Sequence, residues 1–269
     1  MRFDNRRVPT LLAIIAHPDD ESYSVGGTLA LAARSGWRCE VISLTSGEGG
    51  KRHDGGPIGR AQVGLSRERE LADSCTILGA EPPEFWHLPD GHLREEQSQG
   101  DRLRLLVETR RPGLVIALGE DGAYGHPDHI AVYEWLLEAW RTVPAPRPPL
   151  LLAAFARGLF LPQYQRCLPM MGEPPNPPAD EIGASPWHYK LPIGEVAATK
   201  LASISAHRSQ LPGGDAEAIF PPGIVAQLLG VECFSDARGF HDTGVAALLA
   251  GFAIGGRPSA LPDERPAEW

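Results

Sequence analysis

Five short apolar runs recur along the first 155 residues, near 10–16, 39–45, 83–88, 113–118 and 149–155, and the stretches between them carry apolar residues at helical spacing. This alternation constrains the fold strongly, because parallel strands must be joined by crossovers that are usually helices lying on the sheet. Helices are predicted over Gly26 to Ser35, Ser66 to Leu78, Asp101 to Arg110 and Asp128 to Trp140. Gly36 and Gly79 stand where C-terminal caps belong, and Asp101 and Asp128 open their helices, where the dipole favours negative charge. The expected fold class is α/β, a Rossmann-like doubly wound, mostly parallel sheet of at least five strands.

Beyond residue 156 the pattern fails, because Pro162, Pro169, Pro174, Pro175, Pro177, Pro178 and Pro186 crowd a stretch with little period. Residues 162–190 are therefore expected as a surface excursion, a semi-rigid wall beside a cleft that would set substrate choice. Gly194 to Gln210 returns to helix, and 255–269 reads as a polar, flexible tail. No repeat or linker divides the chain, so residues 1–269 are expected to form one domain, large enough for an enzyme core.

The chain carries 34 acidic against 25 basic residues, a net charge of −9. Such a surface repels phosphate backbones and anionic lipid heads, so neither nucleic acid nor a membrane is the expected partner. Leu11 to Ala16 is too short for a signal-peptide core. Cys39, Cys75, Cys167 and Cys233 lack CxxC spacing and read as reduced thiols of a cytoplasmic protein. Homo-oligomerisation is left open.

The chemistry concentrates at two strand ends. Ala16-His17-Pro18-Asp19-Asp20-Glu21 follows the first run directly, at the carboxyl edge where open α/β sheets bind ligands. Imidazole and carboxylate form a metal-ligand set, and adjacent acids repel unless a cation or a reaction uses them. A solvated turn with a capping acid is the alternative for this string taken alone. Tyr124-Gly125-His126-Pro127-Asp128-His129 follows another apolar run in the same way, and two such clusters side by side favour a metal site. No HExxH, GxSxG, GxGxxG or phosphate-binding loop is present.

At these residues the sequence resembles the LmbE-like (PIG-L) zinc N-deacetylases of amino sugars. The resemblance rests on AHPDDE at 16–21 and YGHPDH at 124–129. Thr45-Ser46-Gly47-Glu48, Arg67-Glu68-Arg69-Glu70, Leu88-Pro89-Asp90-Gly91, and Lys200 with Ala206-His207-Arg208-Ser209-Gln210 agree more weakly. It implies one zinc, or another divalent metal, per chain, held by His17, Asp20 and His129. It implies Asp19 as the base for the attacking water, and a cationic His126, oriented by Asp128, as oxyanion stabiliser and proton donor. Tyr124 would add a hydrogen bond to the oxyanion, and Arg67 and Asp90 would contact sugar hydroxyls. Glu21 and Glu48 would brace the site or cap helices, while His207 is read as structural. Trp86, Trp187 and Phe160 read as core or as stacking faces.

The expected activity is removal of an N-acetyl group from a small N-acetylglucosamine-type sugar or glycoconjugate. Rivals are a metal-dependent amidase of a thiol conjugate, a two-metal phosphoesterase and a catalytically idle sugar-binding protein.

Overall fold

Strands β1 (Thr10–Ile15), β2 (Arg38–Thr45), β3 (Glu84–Leu88), β4 (Leu114–Leu118) and β5 (Leu150–Ala154) form where the apolar runs predict them. The chain is seen here in a computed structural model that describes residues 8–56 and 59–253; the tail expected at 255–269 lies outside these. Among the described residues, β6 (Tyr189–Pro192) and β7 (Val231–Asp236) complete a sheet of order β3-β2-β1-β4-β5-β7-β6. Pairings among β1 to β5 are parallel, while β7 runs antiparallel to both β5 and β6.

Helices α1 (Asp20–Arg34), α2 (Arg60–Leu78), α3 (Gly100–Arg110), the single turn α4 (Gly122–Gly125) and α5 (Pro127–Thr142) follow the early strands. After β5 come α6 (Leu161–Cys167), α7 (Ala197–Ala206), α8 (Ile224–Leu228) and α9 (Thr243–Ala253). Successive residues of β1 face opposite layers. Leu11, Ala13 and Ile15 pack with α1, α2, α7 and α9, and Leu12, Ile14 and Ala16 pack with α3 and α5. Both sheet faces are thus covered, as a parallel sheet requires.

Two predicted boundaries move. α1 begins at Asp20, well before Gly26, because Gly26 and Gly27 serve close packing inside the helix and not its start. A Cβ on Gly27 would meet Ile193 at 2.6 Å. α2 begins at Arg60 and ends at Gly79, whose φ of 76° is the left-handed cap the sequence predicts.

The proline-rich stretch differs more from expectation. Tyr164, Cys167, Met171 and Ile182 are buried. The Tyr164 hydroxyl donates to the Pro177 carbonyl at 3.0 Å, and the Gly183 N–H donates to Asp121 Oδ2 at 2.8 Å. The segment is therefore anchored on the loop after β4, because its apolar side chains cover the sheet edge that α5 leaves open. All four cysteines are buried free thiols, and burial pushes Cys39 up to about 12.

Candidate metal centre and active site

The strand order reverses between β1 and β4, which leaves a crevice at their carboxyl ends. His17 lies two residues beyond β1, and the 119–129 loop leaves β4, so the fold brings the two His-Pro-Asp clusters into this crevice. The second loop turns sharply at Gly122 and Ala123, with φ of 56° and 66°. Asp121 Oδ1 secures the turn by accepting the Ala123 N–H at 3.0 Å.

His17 Nδ1 lies 3.1 Å from His129 Nε2, which lies 3.1 Å from Asp20 Oδ1. Asp20 Oδ2 closes the triangle, 3.5 Å from His17 Nδ1. The outer ring nitrogens fix the proton positions. His129 Nδ1 is 3.0 Å from the Gly122 carbonyl, which can only accept, so Nδ1 carries the proton and Nε2 presents a lone pair. His17 Nε2 is 3.1 Å from both Asp90 Oδ1 and Asp128 Oδ2, again only acceptors, so Nδ1 faces the triangle. Two imidazole lone pairs and a carboxylate converge there, a donor set suited to a divalent cation, with the carboxylate-histidine support that metal ligands normally have. Burial opposes charge on His17, but its hydrogen bonds to Asp128, Asp20 and Asp90 outweigh it and raise its pKa.

A second carboxylate cluster, Asp90 and Asp128, shares His17, and most of its contacts are already made within the protein. Asp90 Oδ2 accepts the Gly49 N–H at 2.6 Å, and Asp128 accepts the N–H groups of Gly91 and Leu93 at 2.7 and 3.0 Å. Asp90 is turned onto His17 and Gly49, the donors nearest its buried carboxylate. Asp128 orients His17 and not His126; only its backbone N–H reaches His126, donating to Nδ1 at 3.2 Å.

Asp19 sits beside the triangle with φ 114°, a left-handed conformation that is rare outside glycine. Arg67 Nη2 donates to Asp19 Oδ2 at 3.0 Å and also to the Pro18 carbonyl, while Nη1 donates to the Gly47 carbonyl at 2.9 Å. Arg67 is thereby buried as a clamp on the first motif. Burial pushes Asp19 up to about 6, opposed by Arg67 and reinforced by the neighbouring charge of Asp20.

His126 is held below its ordinary pKa by burial and by its neighbours His129 and His17. Its protein neighbours alone thus favour the neutral ring. Its Nδ1 accepts the Asp128 N–H, so Nε2 carries the proton. Tyr124 packs edge-on against His129 and His126, at ring centroid distances of 5.5 and 6.0 Å, and burial keeps its phenol neutral.

Glu21, Glu48 and His207 are the supports the sequence marks, and the structure gives their partners. Glu21 Oε1 accepts from Ser22, Ser74 and His207, all fully buried. Glu48 Oε1 accepts the Asp90 N–H at 2.9 Å. Tyr23, Phe160, Gln163 and Phe220 line a cavity against Asp19, Asp20 and His129. Trp86 lies in the core under the Arg102 guanidinium, and Trp187 lies under Lys190, neither beside the site.

Comparison with known proteins agrees with this geometry. The PIG-L family profile, described as GlcNAc-PI de-N-acetylase, matches residues 12–140, which include every site residue discussed from His17 to His129. The chain is 30% identical over 244 residues to 1D-myo-inositol 2-acetamido-2-deoxy-alpha-D-glucopyranoside deacetylase 1 of Saccharopolyspora erythraea, covering 76% of this chain and 78% of that one. It is 32% identical over 205 residues to a probable N-acetyl-alpha-D-glucosaminyl L-malate deacetylase 2 of Bacillus anthracis, covering 74% and 80% respectively. A conserved protein from Thermus thermophilus has the same fold, with a TM-score of 0.58 at 25% identity over 85% of this chain and 94% of that one. On the shared fold and these two long alignments, the chain belongs to the PIG-L family of de-N-acetylases.

Proposed function

We propose that the protein is a zinc-dependent hydrolase that removes the N-acetyl group from a small N-acetylglucosamine-type sugar or glycoconjugate. The observation that carries this reading is the triangle of His17 Nδ1, Asp20 and His129 Nε2 beside Asp19, in a member of a deacetylase family. These three residues would hold one zinc ion, which when bound polarises the amide carbonyl and acidifies the attacking water. Another divalent metal with similar preferences would serve.

Asp19 takes the proton of the attacking water, for which a buried carboxylate poised near 6 is suited. Arg67 fixes the direction of that carboxylate. The carbonyl carbon gains the water oxygen, and the neutral His126 donates its Nε2 proton in a hydrogen bond to the oxygen that becomes negative. Tyr124, also neutral, lies beside His126 to add a second hydrogen bond. The C–N bond then breaks, the nitrogen takes the proton held by Asp19, and acetate and a free amino sugar leave. Arg67 and Asp90 act by holding Asp19 and His17, not by touching the sugar. We place the reaction in the cytoplasm, in keeping with four reduced thiols; no described helix is long and apolar enough to cross a membrane.

A two-ion phosphoesterase is disfavoured, because the long alignments are to deacetylases, and Asp90 and Asp128 already support His17 and backbone N–H groups. The test is release of primary amine by the zinc-loaded protein from a panel of N-acetylated glucosaminides and thiol conjugates, with metal counted per chain. One ion per chain and amine from an N-acetylglucosaminide are expected. Two ions per chain, or cleavage confined to thiol conjugates or phosphate esters, would overturn the reading.

A further inference from the structure

Between Tyr23, Phe160 and Phe220 lies a partly open cavity of about 120 Å³, whose wall also carries Asp19, Asp20 and His129. We infer that this cavity seats the acyl side of the scissile amide and is shaped for a chain of about four carbons bearing a hydroxyl, with acetyl a smaller occupant. The inference rests on the amide-hydrolase reading and extends it to the acyl group.

Position is the first argument. Asp19, Asp20 and His129 are the groups proposed to act at the carbonyl carbon, so a carbonyl held by them must send one of its two substituents into the space they border. Size and lining decide which one. An apolar protein cavity of about 150 Å³ holds benzene, so about 120 Å³ takes four to five carbons. A hexosamine ring has twice as many heavy atoms as benzene and does not fit. Leu118, Phe155, Phe160 and Phe220 would also strip water from sugar hydroxyls without replacing it. The acyl chain is the substituent that fits, and the single methyl of acetyl fills only about a quarter of the space.

Two orphaned polar atoms refine the chemistry. The Tyr23 hydroxyl and Gln163 Oε1 are buried without a partner, and both residues line the cavity. Proteins leave few such atoms unpaired. Burial keeps the Tyr23 phenol neutral, so it has a proton to donate, while the Gln163 oxygen can only accept. A hydroxyl, which both donates and accepts, is the group whose chemistry complements either atom. Tyr23 is itself held by an edge-on contact with Phe220, centroids 4.9 Å apart, so its hydroxyl is not free to swing to solvent.

The experiment compares N-acetyl-, N-butanoyl-, N-(3-hydroxybutanoyl)- and N-hexanoylglucosamine with the zinc-loaded protein, reading amine release. The hydroxybutanoyl substrate is expected to exceed acetyl at least tenfold in kcat/KM, with butanoyl between them and hexanoyl below butanoyl. Tyr23→Phe should erase the advantage of the hydroxylated chain over the plain one, and Ile219→Trp, which fills the cavity, should lower both four-carbon rates more than the acetyl rate. Thermal midpoints of both variants check folding. Acetyl matching or exceeding both four-carbon substrates would overturn the inference, and plain butanoyl outrunning the hydroxylated chain would overturn its hydroxyl. If no N-acyl glucosamine releases amine, the hydrolase reading has failed. Calorimetric titration with acetate, butanoate and 3-hydroxybutanoate then still reads the cavity, and equal affinity for all three overturns the inference.

Discussion

Glu21 Oε2 accepts the backbone N–H of Asp19 at 3.0 Å, while Glu21 Oε1 lies 2.8 Å from His207 Nε2. A fully buried carboxylate thereby ties the proposed base to the end of α7. The left-handed backbone of Asp19 costs about 1–3 kcal/mol and persists only where the surroundings enforce it. Glu21 enforces it from one side and Arg67 from the other.

This pair gives a pH signature of stability. Burial disfavours charge on Glu21, but His207 and the two serine hydroxyls outweigh it and lower its pKa; its contribution is present above about 4.3 and fades as pH falls. Burial likewise opposes charge on His207, but Glu21 raises its pKa; that contribution is present below about 6.5 and fades as pH rises through the folded value. Urea midpoints should therefore be highest between these limits and fall on both sides. His207→Gln, which keeps a neutral donor for Glu21, should remove the alkaline fall and also weaken the acid-side fall, because the His207 charge is the main cause that lowers the Glu21 pKa.

Asp19→Asn should retain metal and fold yet lose at least a hundredfold in kcat, since it removes a base and not a ligand. The acidic limb of wild-type kcat/KM should lie at or below pH 6, because a bound cation lowers an acid that burial and its charged neighbours together put at about 6. Stopped assays from pH 4.5 to 9 read both. Loss of metal from Asp19→Asn would make Asp19 a ligand.

For His126 the expected loss is in turnover. Removing one oxyanion donor costs about 10²–10³ in kcat, so His126→Ala should fall by that factor while KM moves little and the acidic limb stays where Asp19 sets it. An unchanged rate would remove His126 from the reaction.

The ligands and their supports should separate by metal affinity. His129→Ala should abolish tight binding. Asp128→Ala, which frees His17 Nε2 from one of its two carboxylates, should weaken affinity about 10–100-fold without abolishing it. Competition with a chromogenic chelator measures both, and equal losses would mean that Asp128 is itself a ligand.

Strands β1, β4 and β5 were legible as almost unbroken apolar runs, and β2 and β3 as apolar runs interrupted by Glu40 and by His87. β7 was not, since Glu232, Ser235 and Asp236 interrupt its pattern for specific partners: Glu232 takes Lys200 Nζ at 2.7 Å and Asp236 takes the Tyr189 hydroxyl at 2.9 Å. β6, four residues ending in Pro192, follows a proline-rich stretch and carries no signal of its own. The triangle was legible because each half is a contiguous motif at a strand end. The inward turn of Arg67 and Asp90 was hidden, as buried and exposed charges look alike in a sequence. The cavity was hidden too, since Tyr23, Gln163 and Phe220 come from three distant segments and meet only in the folded chain.

Lys200, fully buried, and Glu232 grip α1 at Gly27 and Thr28, whose N–H groups both donate to Glu232 at 2.8 Å. Every group proposed to touch the amide lies before residue 130, yet α1, which opens directly from the first motif, is clamped from residues beyond 190. A fragment ending after β5 would own all the reagents and none of the vice that grips them. Activity should reappear only when the C-terminal half is supplied, in one chain or as a complementing fragment, so the two halves can be used as a split reporter whose signal is the alignment of a single helix.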